Sequence, residues 1–530
     1  MSAAMPCGRT MPVEDSPHCD KKIALPRTCV ATQLCVLTDP VYRVRTDGEA
    51  RRVSLPGLLS LLAEDNIEAI VGLRPHHAHS AHMFLAQLVS MLPIDTGCEN
   101  DWRNALLALE PDERAWQVFP ETGEMGFLQP AFDSNAKINT SVSPSDIDLL
   151  VLSRNHAVKY EPACTSEIDV WLWTLAAVQT GGGFPGRGSY GTFRINSGLG
   201  SRSLWAIYDR SWGIGRRILE DARLIRNVKP EVTTDFGFAR EGGLKLMWTA
   251  PWDGVSMLRA SDLDASVVEI CRRINLATSA EGKITCKTAT SDNPRTVLAK
   301  TGSEEFLRGN CGDIWSPILS DKIGSKAYSM DGRGLPYDIV AYHAIGMAFG
   351  GNISVRAAPA VRRNPENPVL VIAGIANGQG KTEGFYQREV TFRAEPDEDA
   401  IFDGPSRGDV AQKMVDEAKF LQSCLRRAVA VYIGSDVSDA IDERFVGAAS
   451  SQIDQIFFEH LDAVYMSNGA EQGEWVRALH AVGKSVLNQA VDQIPVRAMT
   501  RARQSILAID RFEFLFWNDK KFPFSAYRAN

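Results

Sequence analysis

The order of apolar and polar residues divides the chain into two differently patterned parts. In the first part, residues 36–44 and 52–55 alternate around the turn Thr46-Asp47-Gly48, which is typical of a β-hairpin. Helical spacing of apolar residues recurs at 58–62, 83–92 and 169–178. Continuous apolar runs, which predict buried strands, occupy residues 147–152, 244–249 and 369–373. With glycine scattered throughout, this mixture predicts an irregular α/β domain over residues 31–395.

After an acidic, proline-containing linker at residues 396–405, the pattern becomes helical. Ser406 is a candidate N-cap for a helix that extends to about residue 433. Three more helical segments are predicted at residues 451–466, 471–489 and 496–510. We therefore predict an α+β fold, in which a mixed α/β N-terminal domain is followed by a C-terminal four-helix bundle at 406–530. Residues 1–30 are predicted to be a flexible leader.

Composition narrows the class of protein. The 530 residues include 57 Lys and Arg against 65 Asp and Glu, a net charge of -8, which argues against a protein that coats nucleic acid indiscriminately. No apolar run reaches the roughly 18–20 residues of a membrane helix, and the first residues lack the apolar core of a secretory signal. The ten cysteines form no CxxC pair, which argues against a zinc ribbon and suits a reducing cytoplasm.

Two glycine-rich segments could approach a ligand closely. Residues 186–191 match GxGxxG, but a helix is predicted before them and an extended segment after them, the reverse of a dinucleotide site. The preceding glycines, Gly181, Gly182 and Gly183, have no side chains, so a phosphate or a DNA minor groove could approach the backbone closely. The alternative is a structural turn.

The second segment is Gly380-Lys381-Thr382, which follows a buried apolar run and resembles a phosphate-binding P-loop. A P-loop would need glycine five residues before Gly380, where this chain has Ile375, and a helix afterwards, where residues 384–390 alternate like a strand. An NTP-binding protein that uses Lys381 and Thr382 stays open as an alternative.

Four of the nine histidines fall between Arg74 and His82. Pro75 suits a first helical turn, so we predict a helix start with packed histidines, with a metal site as the alternative. The sequence has no HExxH motif and no nucleophile elbow, and we predict neither a metal nor another cofactor. A Ser/His/Asp triad stays open, because its members can lie far apart in the chain, but nothing local indicates one.

Basic residues cluster locally despite the acidic total. Arg497 and Arg501 are one helical turn apart in the predicted bundle, and residues 153–159 form a polar, cationic segment. Solvated surface is one explanation for each cluster. Together with the glycine segments, they indicate a surface that binds a nucleic-acid backbone.

The order of these features resembles the CasA family, the large subunit of the type I-E CRISPR complex Cascade. The resemblance rests on five segments in family order, which are residues 37–45, 52–56, 126–130, 181–184 and 377–379. It covers about residues 36–510. It implies a non-catalytic subunit that reads the PAM, the short motif beside the target, from the minor groove and starts strand separation.

The resemblance also implies roles for individual residues. Gly181, Gly182 and Gly183 would approach the minor groove, and Gln379 beside Asn377 would be the wedge under the first base pair. Asn155 and Lys159 would engage the PAM region, and Lys300 or Arg308 would be a basic finger. The implied partners are the other Cascade subunits, the guide RNA, double-stranded target DNA and a helicase–nuclease, in the cytoplasm and without a membrane. A pure scaffold, which assembles but ignores the flanking motif, is the competing interpretation.

Overall fold

The computed structural model describes residues 34–121, 123–132, 138–150, 167–184, 186–196, 200–279, 281–300, 302–345, 354–378, 381–394, 406–434, 443–496 and 498–528. Its helices are α1 (Leu55–Ala63), α2 (Pro75–Ser90), α3 (Glu99–Leu109), α4 (Ile168–Gly181), α5 (Ile214–Phe236), α6 (Tyr337–Ile345), α7 (Arg407–Ile433), α8 (Glu443–Met466), α9 (Gln472–Gln493) and α10 (Ala498–Trp517).

The strands are short, apart from the last two. They are β1 (Tyr42–Thr46), β2 (Glu49–Val53), β3 (Ala69–Val71), β4 (Ile138–Ser141), β5 (Leu204–Asp209), β6 (Leu244–Leu246), β7 (Leu263–Val268), β8 (Arg273–Thr278), β9 (Ile284–Ala289), β10 (Ile318–Asp321), β11 (Gly324–Ala327), β12 (Ser354–Arg356), β13 (Pro368–Gly378) and β14 (Lys381–Thr391). The strand orders of the three-stranded sheets are β2-β1-β3, β11-β10-β12, β14-β13-β5 and β4-β9-β8.

The predicted first hairpin is confirmed. β1 and β2 pair antiparallel with Thr46 opposite Glu49, so Asp47 and Gly48 form a two-residue turn. Both have positive φ, 51° and 77°, which is the backbone of a type I′ turn and explains the Asp-Gly pair. The predicted strand begins later than expected, at Tyr42, because residues 36–39 form a turn.

Strand β13 separates two hydrophobic cores. Val369, Val371 and Ile375 pack into a core with α1, α2, α4 and α5. The alternate residues Leu370 and Ile372 pack into a second core with α6 and the C-terminal helices. Since successive side chains of a strand point to opposite faces, burial on both faces accounts for the uninterrupted apolar run in the sequence.

The C-terminal helices confirm the predicted bundle and the α+β fold class. Ser406 caps α7 as expected, because its Oγ accepts a hydrogen bond from the Asp409 backbone N–H at 3.1 Å and the Asp409 carboxylate accepts one from the Ser406 backbone N–H at 3.1 Å. The second core is continuous with α6, whose Tyr337 ring lies 4.8 Å from that of Phe457 in α8. The exact domain boundaries stay a prediction.

Two strand predictions were wrong in part. Residues 147–150 form turns, because the buried Asp148 carboxylate accepts a hydrogen bond from the Leu150 backbone N–H and from side chains of α2. The predicted strand at 244–249 ends at Leu246 and continues as a single 3₁₀ turn. In both places the local apolar pattern alone does not determine the backbone conformation.

Within the described residues, no helix is both long and apolar enough to span a bilayer.

Candidate nucleic-acid interface

The β13–β14 hairpin is the most extended element of the candidate interface. Its last backbone pairs are Asn377 with Thr382 and Gly378 with Lys381, and the Gln379 wedge candidate, like the Asn377 side chain, lies outside the described residues. β5 pairs with residues 368–373 only, so the distal half of the hairpin continues past this neighbouring strand.

The hairpin also removes the P-loop alternative. A P-loop needs a helix after its Gly-Lys-Thr, because the helix N-terminus binds the phosphates. Here Lys381 and Thr382 begin strand β14, which pairs antiparallel with β13 over its whole length. The context required for NTP binding is therefore missing at this site.

Phe385 anchors the hairpin to the start of α2. Its ring stacks on that of His79 at a centroid distance of 6.0 Å and meets the His76 ring edge-on at 6.4 Å. α2 starts where the sequence predicted, with Pro75 at the first helical position. The histidines are therefore packed at a helix start, and they position the hairpin.

Asp148 is the carboxylate that the histidines face. Arg74 Nη1 donates to Asp148 Oδ2 at 2.6 Å, and the Nε2 atoms of His76 and His77 lie 2.9 and 3.0 Å from its oxygens. Burial raises the pKa of Asp148, but the hydrogen bonds from His76 and His77 outweigh it and hold that pKa well below its usual range. Burial lowers the pKa of His77.

The same three residues present ligand atoms within 4.8 Å of one another, the donor set of a transition-metal site. However, the Arg74 guanidinium already supplies the positive charge at Asp148, and the N-terminus of α2 disfavours a further cation. Hydrogen bonds from Arg74 and His76 thus satisfy Asp148, whereas the buried His77 ring lies 3.0 Å from that carboxylate without a well-aligned hydrogen bond. Sequence reasoning missed Asp148, because it lies about seventy residues from its partners and nothing local marks it.

The three glycines, Gly181, Gly182 and Gly183, are buried against the interior. A Cβ on Gly181 would lie 2.5 Å from Ser80 Oγ, and one on Gly182 would lie 2.4 Å from the Val178 carbonyl oxygen. The carbonyls of Gly182 and Gly183 accept hydrogen bonds from the Thr192 N–H and the Arg272 guanidinium. Close internal packing therefore explains why Gly181 and Gly182 are glycine.

The exposed part of this segment comes slightly later. Gly186 and Ser189 form an isolated bridge, which leaves the exposed Arg187 at a tight turn. The Gly188 carbonyl accepts a hydrogen bond from the Ser291 N–H, so the turn rests on the segment after β9. Arg187 thus presents a positive charge that a nucleic acid could reach without a change in the fold.

The two candidates for the basic finger lie in different surroundings. Exposed Lys300 bonds to Asn293 Oδ1 at 3.3 Å, next to Asp292, whose carbonyl accepts a hydrogen bond from the Tyr190 hydroxyl of the glycine segment. Arg308 instead has a left-handed backbone, with φ of 49°, and its carbonyl accepts a hydrogen bond from the N–H of Ala327 in β11. These contacts place Lys300, rather than Arg308, beside the glycine segment.

Three sequence-distant segments thus meet: the hairpin, the start of α2 and the glycine segment. The connecting contacts run from Phe385 to His79, and then through Ser80, whose Oγ lies 3.4 Å from His79 Nε2 and packs against Gly181. The other site candidates Asn155, Lys159 and Arg497 lie outside the described residues. Arg501, in the bundle, is exposed and bonds to the Val491 carbonyl at 3.1 Å.

Comparison with known proteins identifies the fold. No family model matches the sequence, and no curated protein matches it. Among solved structures, CasA of Thermus thermophilus is similar with a TM-score of 0.62 and 12% identity, over 91% of this chain and 99% of that one. Cse1 of Thermobifida fusca gives 0.60 and 13%, over 91% and 98%. The CRISPR-associated protein Cse1 of Acidimicrobium ferrooxidans gives 0.58 and 14%, over 94% and 99%. The chain has the CasA (Cse1) fold, which confirms at the level of the fold the resemblance indicated by its motif order.

Proposed function

We propose that this chain is the large subunit of a type I-E CRISPR RNA-guided surveillance complex, Cascade, and that it recognises the PAM in double-stranded DNA. The observation that carries the proposal is the shared CasA fold over nearly the full length of both chains. The similarity therefore includes both the N-terminal domain and the C-terminal bundle. A match to a common isolated motif would cover only one of them.

The hairpin and the segments around it support a role in strand opening. An antiparallel hairpin that Phe385 anchors to α2 is a stiff element that can be pushed between base pairs. Unstacking costs a few kcal/mol per step, which contacts to the opened DNA and guide pairing would offset. Gln379 and Asn377 remain our candidates for the tip. Asn155, Lys159 and Arg308 remain candidates for the PAM region, with Lys300 nearer to the glycine segment than Arg308. The buried Gly181, Gly182 and Gly183 would act there by positioning the turn that exposes Arg187.

The proposed subunit is not an enzyme. Its partners would be the other Cascade subunits, the guide RNA, target DNA and the helicase–nuclease that acts after unwinding, in the cytoplasm. The NTP-binding alternative has no support at Lys381 and Thr382, because these residues begin a strand.

The test is co-expression of the chain with a guide RNA and the products of its neighbouring genes. Binding of the purified complex would be measured on target duplexes that differ only in the flanking trinucleotide. We expect affinity to depend on that trinucleotide and on the presence of this chain. A complex that assembles but binds all duplexes equally would favour the scaffold interpretation, and failure to join any RNA complex would contradict the family assignment.

A further inference from the structure

An arginine-lined cleft of about 810 Å³ lies at the end of the β14-β13-β5 sheet that is opposite the hairpin tip. Its walls come from β12, the start of β13 and the first turn of α7. The described lining includes four arginines, Arg356, Arg362, Arg363 and Arg407, but only one carboxylate, Asp409. Asp409 is engaged by the cap of α7 and accepts bonds from Ser406, so the N-terminus of that helix is already satisfied.

Two of the arginines are held in place by the protein itself. Arg363 pairs with the buried Asp221 at 2.6 Å and donates to the Glu220 carbonyl. Arg407 lies 4.8 Å over the Tyr465 ring, 3.6 Å from Asp462. Their charges are balanced by carboxylates, so their contribution is a rigid polar wall.

The other two arginines are exposed, and neither forms an ion pair with another described residue. Arg356 donates to a neutral acceptor, Asn310 Oδ1, at 2.9 Å. Arg362 makes no hydrogen bond or ion pair through its side chain within the described part of the chain. A chain with a net charge of -8 thus places at one cleft two guanidinium groups that no described carboxylate neutralises. Guanidinium groups match phosphate geometry through paired N–H donors.

We propose that this cleft binds the phosphodiester backbone of a single nucleic-acid strand, with Arg356 and Arg362 as the contacting residues. The site is separate from the hairpin tip, because eleven residues of β13 span roughly 35 Å, about one turn of duplex DNA. The chemistry recognised is the backbone, so the strand could be DNA or RNA. The proposal does not depend on the PAM role.

The test uses the full chain and two labelled probes of equal length, oligothymidylate and oligouridylate. Fluorescence anisotropy would give the affinity over a range of salt concentrations. For Arg356→Ala/Arg362→Ala we expect roughly tenfold weaker binding to at least one probe. The slope of log K against log salt should become shallower by about 1.4, since each single-strand phosphate contact contributes about 0.7.

The matched control is Arg51→Ala/Arg240→Ala, which removes the same charge at two exposed positions outside the cleft. This control should keep the affinity within about twofold and leave the slope unchanged. If the cleft variant loses affinity for oligothymidylate, the strand is DNA, and if it loses affinity for oligouridylate, the strand is RNA. Equal losses in both double variants, or no loss in the cleft variant, would overturn the proposal. Photocrosslinks from the probe that avoid the segments around Phe392 and Arg407 would overturn it as well.

Discussion

At the scale of the residue, Gly182 is required for close packing, although it lies in a glycine-rich segment whose composition indicates ligand binding. Its backbone, with φ of -65° and ψ of 131°, is open to any residue. The constraint comes instead from its neighbours, because a Cβ would lie 2.4 Å from the Val178 carbonyl oxygen and 3.2 Å from Cys271 Sγ. A substitution here therefore tests the fold before it tests DNA binding.

We expect Gly182→Ala to lower the free energy of unfolding by about 1–3 kcal/mol, because the backbone atoms it meets can move only with α4. The control is Gly447→Ala in α8, where an added Cβ meets nothing within 4 Å. That change should stabilise the chain by about 0.5–1 kcal/mol through helix propensity. Chemical denaturation measures both. A neutral Gly182→Ala would show that the segment adjusts freely.

His79 is a buried histidine that the fold keeps neutral. Burial lowers its pKa to about 3, mainly by withholding water from the charged ring. An unfolded histidine has a pKa near 6.5, so between these values the unfolded chain binds more protons than the folded chain. The stability that depends on this residue is therefore present above about pH 6.5 and is lost as the pH falls.

From pH 7 to pH 5 we expect His79 to account for a loss of about 2 kcal/mol in the free energy of unfolding. His79→Gln cannot titrate at this position, so its stability should fall less steeply over that range. Measurements at pH 8, where the His79 ring is neutral in both the folded and the unfolded chain, give the pH-independent cost of the substitution. Parallel curves for the two proteins between pH 8 and pH 5 would contradict the assignment.

At the scale of the element, the β13–β14 hairpin combines a buried base with a distal half that pairs with no third strand among the described residues. Its base is buried on both faces between two cores, and β5 supports it only as far as Ala373. An element anchored in this way can transmit force to its tip without bending at the base. The proposed wedge residue, Gln379, lies outside the described residues, and we expect it at the tip because it follows Gly378 and precedes Lys381 in the chain.

In the assembled complex, Gln379→Ala should slow strand opening about tenfold and change initial docking much less, because a wedge acts only once the duplex is bound. Stopped-flow fluorescence of a base analogue beside the PAM separates the two steps. The matched control is Gln387→Ala, the same change at an exposed position within β14. Equal loss of docking and opening would argue against a wedge.

At the scale of the whole molecule, the negative net charge and the local basic residues have opposite effects on DNA binding. A charge of -8 weakens the long-range attraction of the isolated chain for DNA. Under the proposed function, affinity for DNA would then come from local contacts and from the assembled complex. The predicted backbone contacts in the bundle, Arg497 and Arg501, are candidates for that contribution.

Reversing both residues, as Arg497→Glu/Arg501→Glu, should reduce the salt slope of duplex binding by about 2, since each phosphate contact in B-DNA contributes about 0.9. The assembled complex would be titrated with target duplex at several salt concentrations. Arg51→Glu/Arg240→Glu makes the same change in net charge elsewhere on the surface. If both variants change the slope equally, the two bundle arginines belong to the general solvated surface.

Interactions between residues close in the sequence were sufficient to predict much of the secondary structure of this protein. The Asp-Gly turn, the Ser406 cap, Pro75 at a helix start and the helical periods of the bundle all depend on contacts within a few residues. Strand β13 could also be predicted from its apolar run, because burial on both faces removes the alternation of polar and apolar residues. The order of such segments was enough to indicate the CasA fold, which the solved structures confirm.

Only the tertiary structure decided what depends on distant partners. It turned residues 147–150 away from a strand, since Asp148 is buried against Arg74 and His76. It made Lys381 the start of a strand, and it placed the glycines of residues 181–183 in the interior. It also brought together the arginines of the cleft, from Arg356 to Arg407. A hydrogen bond, a steric contact or a charge cluster between residues far apart in the chain leaves no periodic trace in the sequence.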